Sequence, residues 1–201
     1  MNIKKLIFSL LVFSFMLSVQ AQSHYKDSLR NTYRQEVLLN PFAFFVGGFE
    51  MGYGKINAAN NRLTRGFAGY YISENAESYG DDFKNMEGAR FELQHLFIRP
   101  TDGALRYYAG GFLVYKTIKI DKRVSPTINN YEAIKGSAVS FGLMIGVRNY
   151  VADNFFIDLF VGGGPTIPVG GGDGDYINLD VVNPYKRSIN PKGGITFGVA
   201  F

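Results

Sequence analysis

Gly193-Gly194-Ile195-Thr196-Phe197-Gly198-Val199-Ala200-Phe201 closes the chain and alternates without a break. Ile195, Phe197, Val199 and Phe201 fall on one side, and Gly194, Thr196, Gly198 and Ala200 on the other. A period of two defines a β-strand. What decides the fold is the inequality of its faces. A soluble sandwich or lipocalin-like barrel would bury the large apolar face and give water the other, polar one. Here the second face is small rather than polar. That suits the cramped interior of a narrow barrel whose large face meets lipid.

The pattern recurs upstream. In 155–164, Phe155, Ile157, Leu159 and Val161 oppose Phe156, Asp158, Phe160, Gly162 and Gly164. In 136–150, Val139, Phe141, Leu143, Ile145 and Val147 oppose Ser140, Gly142, Met144, Gly146 and Arg148. In 89–99, Phe91, Leu93 and Phe97 oppose Arg90, Glu92 and Gln94. Residues 105–120 are long and tyrosine-rich around Gly110-Gly111, and 64–73 and 49–57 carry aromatics among glycines. Leu38 to Val46 is almost wholly apolar, and Gly47-Gly48 then shifts the alternation as a tight turn or bulge would. Leu38 to Asn57 reads either as two strands or as one long bent strand.

Connection lengths alternate. Short polar links fall at 58–63, 100–104 and 152–154, and longer ones at 74–88, 121–135 and 170–190. Outer-membrane barrels have short periplasmic turns and longer extracellular loops. With the C-terminal strand ending in the periplasm, every long link lies outside and the count reaches eight strands. The expectation is an all-β, antiparallel up-and-down transmembrane barrel over residues 37–201.

The N-terminus supplies the route. Lys4 and Lys5 precede an apolar run from Leu6 to Val19, and Val19-Gln20-Ala21 offers a cleavage site before Gln22. Residues 1–21 therefore read as a signal peptide. Their apolar run of 14 residues is shorter than the roughly 20 that span a bilayer as a helix. Residues 22–36 read as a polar lead-in. Without Lys4 and Lys5 the chain carries 19 basic and 17 acidic residues, a balance that gives no case for nucleic-acid binding. The absence of cysteine excludes disulfides, thiolate metal sites, thiol nucleophiles and a lipid-modified N-terminal Cys. Glycine, at 24 of 201 residues, exceeds the usual share of about 7% and is spread along the strands.

Several segments together resemble a family. They are Asn40-Pro41-Phe42 with Gly48-Phe49-Glu50-Met51-Gly52-Tyr53, Ala89 to Gln94 with Tyr107 to Phe112, Ile157 to Gly164, and Gly193 to Phe201. They resemble the small Gram-negative outer-membrane β-barrel proteins of unknown function. The resemblance implies fold and outer-membrane location, and carries no catalytic residue across. Phe201, with Phe197 and Val199 and on the same face as Ile195, resembles the C-terminal signal read by the barrel-assembly machinery.

Candidate chemistry is sparse. His24 and His95 are the only histidines. A lipid hydrolase would need one beside a nucleophile and an orienting acid, but His95 alternates with the large apolar residues. Glu50, Arg90, Glu92, Arg148 and Asp158 are expected to face the lumen, either as an ion-paired plug or as a conducting or binding site. Asp173, Asp175 and Asp180, in a glycine-rich loop, could supply oxygen ligands to calcium, without EF-hand spacing. Gly162 to Pro165 and Gly170 to Asp175 lack the strand-to-helix context and Lys of a phosphate loop. No cofactor, metal or catalytic residue is assigned. The expected role is a monomeric, non-enzymatic barrel in outer-membrane lipid, structural or acting on surface partners through three long loops. A membrane-embedded lipid-modifying enzyme and a narrow channel or transport accessory are the alternatives.

Overall fold

The computed structural model describes residues 35–45, 48–57, 61–73, 83–99, 104–125, 128–152, 154–170 and 189–201. Eight strands close into a barrel: β1 (Gln35–Leu39), β2 (Gly48–Asn57), β3 (Arg62–Ser73), β4 (Phe83–Ile98), β5 (Leu105–Ser125), β6 (Ile128–Tyr150), β7 (Phe155–Gly170) and β8 (Ile189–Ala200). Each pairs antiparallel with the next, and β8 returns to β1. The eight-stranded up-and-down barrel expected from the alternation is the one observed.

The faces divide as the sequence dictates. Leu143 (75% exposed), Ile145, Phe91, Leu93, Val161 and Phe201 point outward. Glu92, Gln94, Arg148, Asp158 and Thr196 are buried in the lumen. A water-soluble protein rarely exposes a contiguous apolar patch beyond a few hundred Å². Here apolar side chains cover the outside while charges fill the inside, which is the partition that lipid imposes.

Glycine makes room where the lumen receives its large side chains. A Cβ on Gly198 would lie 2.2 Å from the Phe156 ring, and one on Gly146 would lie 2.4 Å from the Tyr108 hydroxyl. The small face of one strand is thus the seat of a large residue on a neighbour. In the turn after β2, Asn61 takes a positive φ of 54°, a conformation that asparagine tolerates better than most residues.

Besides the long link read over 74–88, of which residues 83–88 belong to β4, the strand ends differ from expectation in three places. β1 takes in Gln35 and Glu36, assigned above to the lead-in, and stops at Leu39. The apolar run after it forms a helical turn, α1 (Phe42–Phe45), instead of continuing as strand to Val46. Leu38 to Asn57 is therefore two strands joined through a turn. The third difference is the segment 121–135, read as a loop. It belongs to the ladder, with Asp121 opposite Ala133 and Lys122 opposite Glu132, so that only residues 126–127 separate β5 from β6.

Residues 1–34, with the cleavage site and His24, lie outside the described residues, as do Asp173, Asp175 and Asp180. The start of β1, Phe201 and the short turns share one end of the barrel, where Gln35 and Phe201 exchange backbone hydrogen bonds of 3.1 and 2.9 Å. The outward apolar band on β4 and β5 ends upward at Phe91 and Tyr115. Beyond it stand Glu87 and Lys119, paired at 2.8 Å.

Candidate functional site

Two layers of charge fill the lumen. The lower one lies one to three residues in from the short-turn end. Arg148 on β6 grips two carboxylates at once. Its Nε and Nη2 donate to Asp158 at 2.8 and 3.0 Å, and its Nη1 and Nη2 donate to Glu36 at 2.6 and 3.2 Å. Arg65 on β3 donates to the same Asp158, to Gln94 at 2.6 Å and to the Tyr108 hydroxyl at 3.2 Å. All four charged side chains are at most 1% exposed.

Planar guanidinium forks can satisfy two carboxylates bidentately, and two arginines against two acids leave the set neutral. That neutrality allows the charges to sit out of water. Aromatic faces complete the packing, with the Arg148 guanidinium 3.7 Å from the Phe156 ring centroid and Arg106 5.1 Å from that of Tyr150. Leu38, Tyr150, Phe156 and Ala200 are buried in the same layer.

The upper layer centres on Glu92. It accepts from Arg90, Gln94 and Lys192. Arg90 also lies 3.7 Å from Glu50, to which Asn40 donates at 2.6 Å. Gln94 joins the layers, accepting from Arg65 and donating to Glu92. Beside this layer is a cavity of about 200 Å³, bordered by β2, β3, β4, β5, β7 and β8, with Phe67, Phe112 and Phe160 as its apolar wall.

All five residues named from the sequence face the lumen, but in two groups: Arg148 and Asp158 below, Glu50, Arg90 and Glu92 above. Sequence reasoning missed Glu36, Arg65 and Lys192. Arg65 was within reach, because it alternates with Leu63 and Phe67 on the inward face of β3. His95 is on the outer face. Its Nδ1 is 2.9 Å from the Thr64 hydroxyl, and its ring meets Phe97 edge-on. These partners are a hydroxyl and a phenyl ring, and among the described residues no acid is paired with the imidazole. Among the described residues no group of His, Asp or Glu could hold a metal ion. Ile195, Phe197 and Val199 alternate outward on β8, and Phe201 follows at its end.

A closed antiparallel barrel with an apolar exterior, a charged interior and the start of its first strand beside the end of its last on the short-turn side defines an outer-membrane β-barrel protein. One solved structure agrees with that fold, and others are similar at lower scores. The chain is similar to Neisserial surface protein A, at 10% identity and a TM-score of 0.51, over 84% of this chain and 95% of that one. The N-terminal β-barrel domain of Pseudomonas aeruginosa OprF aligns at 14% identity and a TM-score of 0.46, over 85% of this chain and 98% of that one. The Yersinia pestis outer membrane protein Ail aligns at 13% identity and a TM-score of 0.42, over 85% and 100%. No family model matches the chain, and no curated sequence does.

Proposed function

We propose that this protein is a closed, non-enzymatic barrel that presents a rigid hairpin outside the cell for interaction with surface partners. One observation carries the reading. β5 and β6 run for 21 and 23 residues against 10 for β2. Ser125 is ten residues beyond Tyr115, the upper limit of the apolar band on β5. At roughly 3.3 Å per residue this is about 33 Å along the strand, or about 25 Å above the band at a tilt of roughly 40°. The backbone there remains paired, so a partner would meet an ordered ribbon. Burial of the lower charge layer supports a closed lumen, because water filling a pore would wet the groups that line it.

On this reading the barrel stays a monomer in outer-membrane lipid and reaches it through the assembly machinery, with Phe201, Val199, Phe197 and Ile195 as the signal strand. The absence of cysteine makes the test clean. Ser125→Cys should react with a membrane-impermeant maleimide on intact cells, and Ala152→Cys, in the β6–β7 turn, only after the outer membrane is permeabilised. Labelling of Ala152→Cys alone on intact cells would overturn the orientation and with it the function. Single-channel conductance from the purified barrel would favour the transport alternative.

A further inference from the structure

Low on the outer wall, four polar side chains stand together. Lys55, Thr64 and His95 lie opposite one another across β2, β3 and β4, and two residues lower Arg62 stands between Asn57 and Phe97. Lys55, Arg62, Thr64 and His95 are all exposed. Among the described residues no carboxylate pairs with Lys55 or Arg62, and residues 58–60, which join β2 to β3, are Ala-Ala-Asn and carry no charge. The lower outward positions of β6, β7 and β8, such as Val147, Ile157 and Phe197, include no cation. Positive charge is therefore confined to one sector of this end of the wall. Lys55 and Thr64 are two residues in from the strand ends at Asn57 and Arg62. At roughly 3.3 Å per residue and a tilt of roughly 40°, that is about 5 Å along the membrane normal. The headgroup layer is about 5–8 Å deep on each side of a bilayer.

The group is equipped to donate. The Thr64 hydroxyl and His95 Nδ1 are 2.9 Å apart. If the hydroxyl donates, His95 keeps an N–H at Nε2; if Nδ1 donates, the hydroxyl keeps its own hydrogen. Either way one donor remains for an acceptor from outside. The Arg62 guanidinium rests 5.2 Å from the Phe97 ring centroid, a contact that steadies the cation without using its N–H donors. Above Thr64 the outward line of β3 continues as Gly66 and Ala68. These small residues floor a groove of about 640 Å³, walled by Met51 and Tyr53 of β2 and by Phe91 and Leu93 of β4. Thr64 to Ala68 is about 13 Å along the strand and about 10 Å along the normal, close to half of an apolar band of about 25 Å. The groove thus has the reach of one leaflet.

We propose that this sector of the wall binds one anionic phospholipid of the phosphatidylglycerol type. Its phosphate accepts from Lys55, Arg62 and the Thr64–His95 pair, and one acyl chain lies in the groove over Gly66 and Ala68. Two cations without a carboxylate attract a net negative headgroup, whereas a zwitterionic one would bring its own cation against them. The site stands independently of the hairpin's role. Only its assignment to the periplasmic leaflet uses the orientation above, which the cysteine labelling tests separately.

The test uses the full-length protein in phosphatidylcholine vesicles containing a small fraction of phosphatidylglycerol with a diazirine in its acyl chain. Light-dependent adducts should map to residues 51–55, 64–68 and 91–95. Excess unlabelled phosphatidylglycerol, but not phosphatidylethanolamine, should suppress them. Lys55→Gln combined with Arg62→Gln removes both cations. Gly66→Leu fills the groove at a position where an added Cβ meets only the Glu92 carbonyl oxygen, at an ordinary 3.7 Å. Each change should lower adduct yield about tenfold, the scale on which charge-assisted hydrogen bonds or a blocked apolar contact act. Lys135→Gln, an exposed cation toward the other end of the wall, should leave the yield unchanged. Heat-modifiable gel mobility checks folding; where Gly66→Leu does not fold, the exposed Lys55 and Arg62 pair decides. Equal labelling of these residues by a phosphatidylcholine bearing the same diazirine would overturn the proposal, since the wall would then take any acyl chain. So would adducts spread evenly onto β6, β7 and β8, or an equal loss of yield in Lys135→Gln.

Discussion

Replacing Arg148 with Met keeps much of the side-chain volume and removes four hydrogen bonds, two to Asp158 and two to Glu36. Arg65 then stands alone against two carboxylates, one of which it approaches only to 3.9 Å. Breaking a buried pair by removing one partner costs about 3–5 kcal/mol, because the remaining charge stays out of water without compensation. With a urea dependence of about 1–3 kcal/mol per molar, the unfolding midpoint in lipid vesicles should fall by about 1–5 M. Adding Glu36→Gln to Arg148→Met balances the layer again, with Arg65 against Asp158, and should recover part of the loss. Lys119→Ala serves as the control, since its pair with Glu87 is more than 40% exposed on both sides and is screened by water. An Arg148→Met midpoint equal to wild type, with or without Glu36→Gln, would refute the reasoning and mean that water reaches the lower layer.

Three further outcomes follow from the same geometry. Gly146→Val drives a side chain into the Tyr108 hydroxyl and lies 2.7 Å from the Leu159 carbonyl oxygen; it should cost about 1–3 kcal/mol in the same urea assay, and Tyr108→Ala should relieve part of it. Deleting residues 195–201 removes every rung between β8 and β1 and should leave no heat-modifiable barrel in outer-membrane fractions; normal amounts of protease-resistant barrel would show the segment to be dispensable. Above the membrane, Lys119 holds the Glu87 carboxyl below its usual range, first through a hydrogen bond and then through its charge. A lowered folded-state value means that this pair's stabilisation is present above the ordinary carboxylate pKa and disappears as pH falls through the lowered one. Amide protection at the Glu87–Lys119 rung, taken relative to the intrinsic exchange rate at each pH, should therefore fall at acid pH in wild type and show no such step in Glu87→Gln.

What the sequence made legible depended on lipid. Alternation survives in β6, β7 and β8 because one face meets hydrocarbon and the other a narrow lumen, and those segments were readable residue by residue. Above the membrane no hydrocarbon imposes an apolar face. Residues 121–135 lack the period of two and resemble a loop, while 121–125 and 128–135 keep a strand's backbone. The run from Leu38 to Val46 failed for the opposite reason, being apolar on every side with no period to separate five residues of strand from a helical turn. Of the lumen charges, Arg90, Glu92, Arg148 and Asp158 were found on their alternating strands, and Arg65 was passed over although it alternates with Leu63 and Phe67. Glu36 was lost in a polar stretch too short to show alternation. Lys192 stood beside the Gly170–Asn190 link, where a basic residue looks like part of a solvated loop.

The grip of Arg148 on Glu36 has a mechanical meaning as well as an electrostatic one. β1 is the shortest stave, five residues long, fastened to β8 by four rungs. Glu36 reaches from it across the lumen to β6, which is not its neighbour in the wall. The guanidinium is thus a spoke that holds the weakest stave from within, as hoop tension alone would not. Load applied to the N-terminal end would be shared between the rim and that spoke. The barrel can thereby close on so short a strand without that strand peeling away.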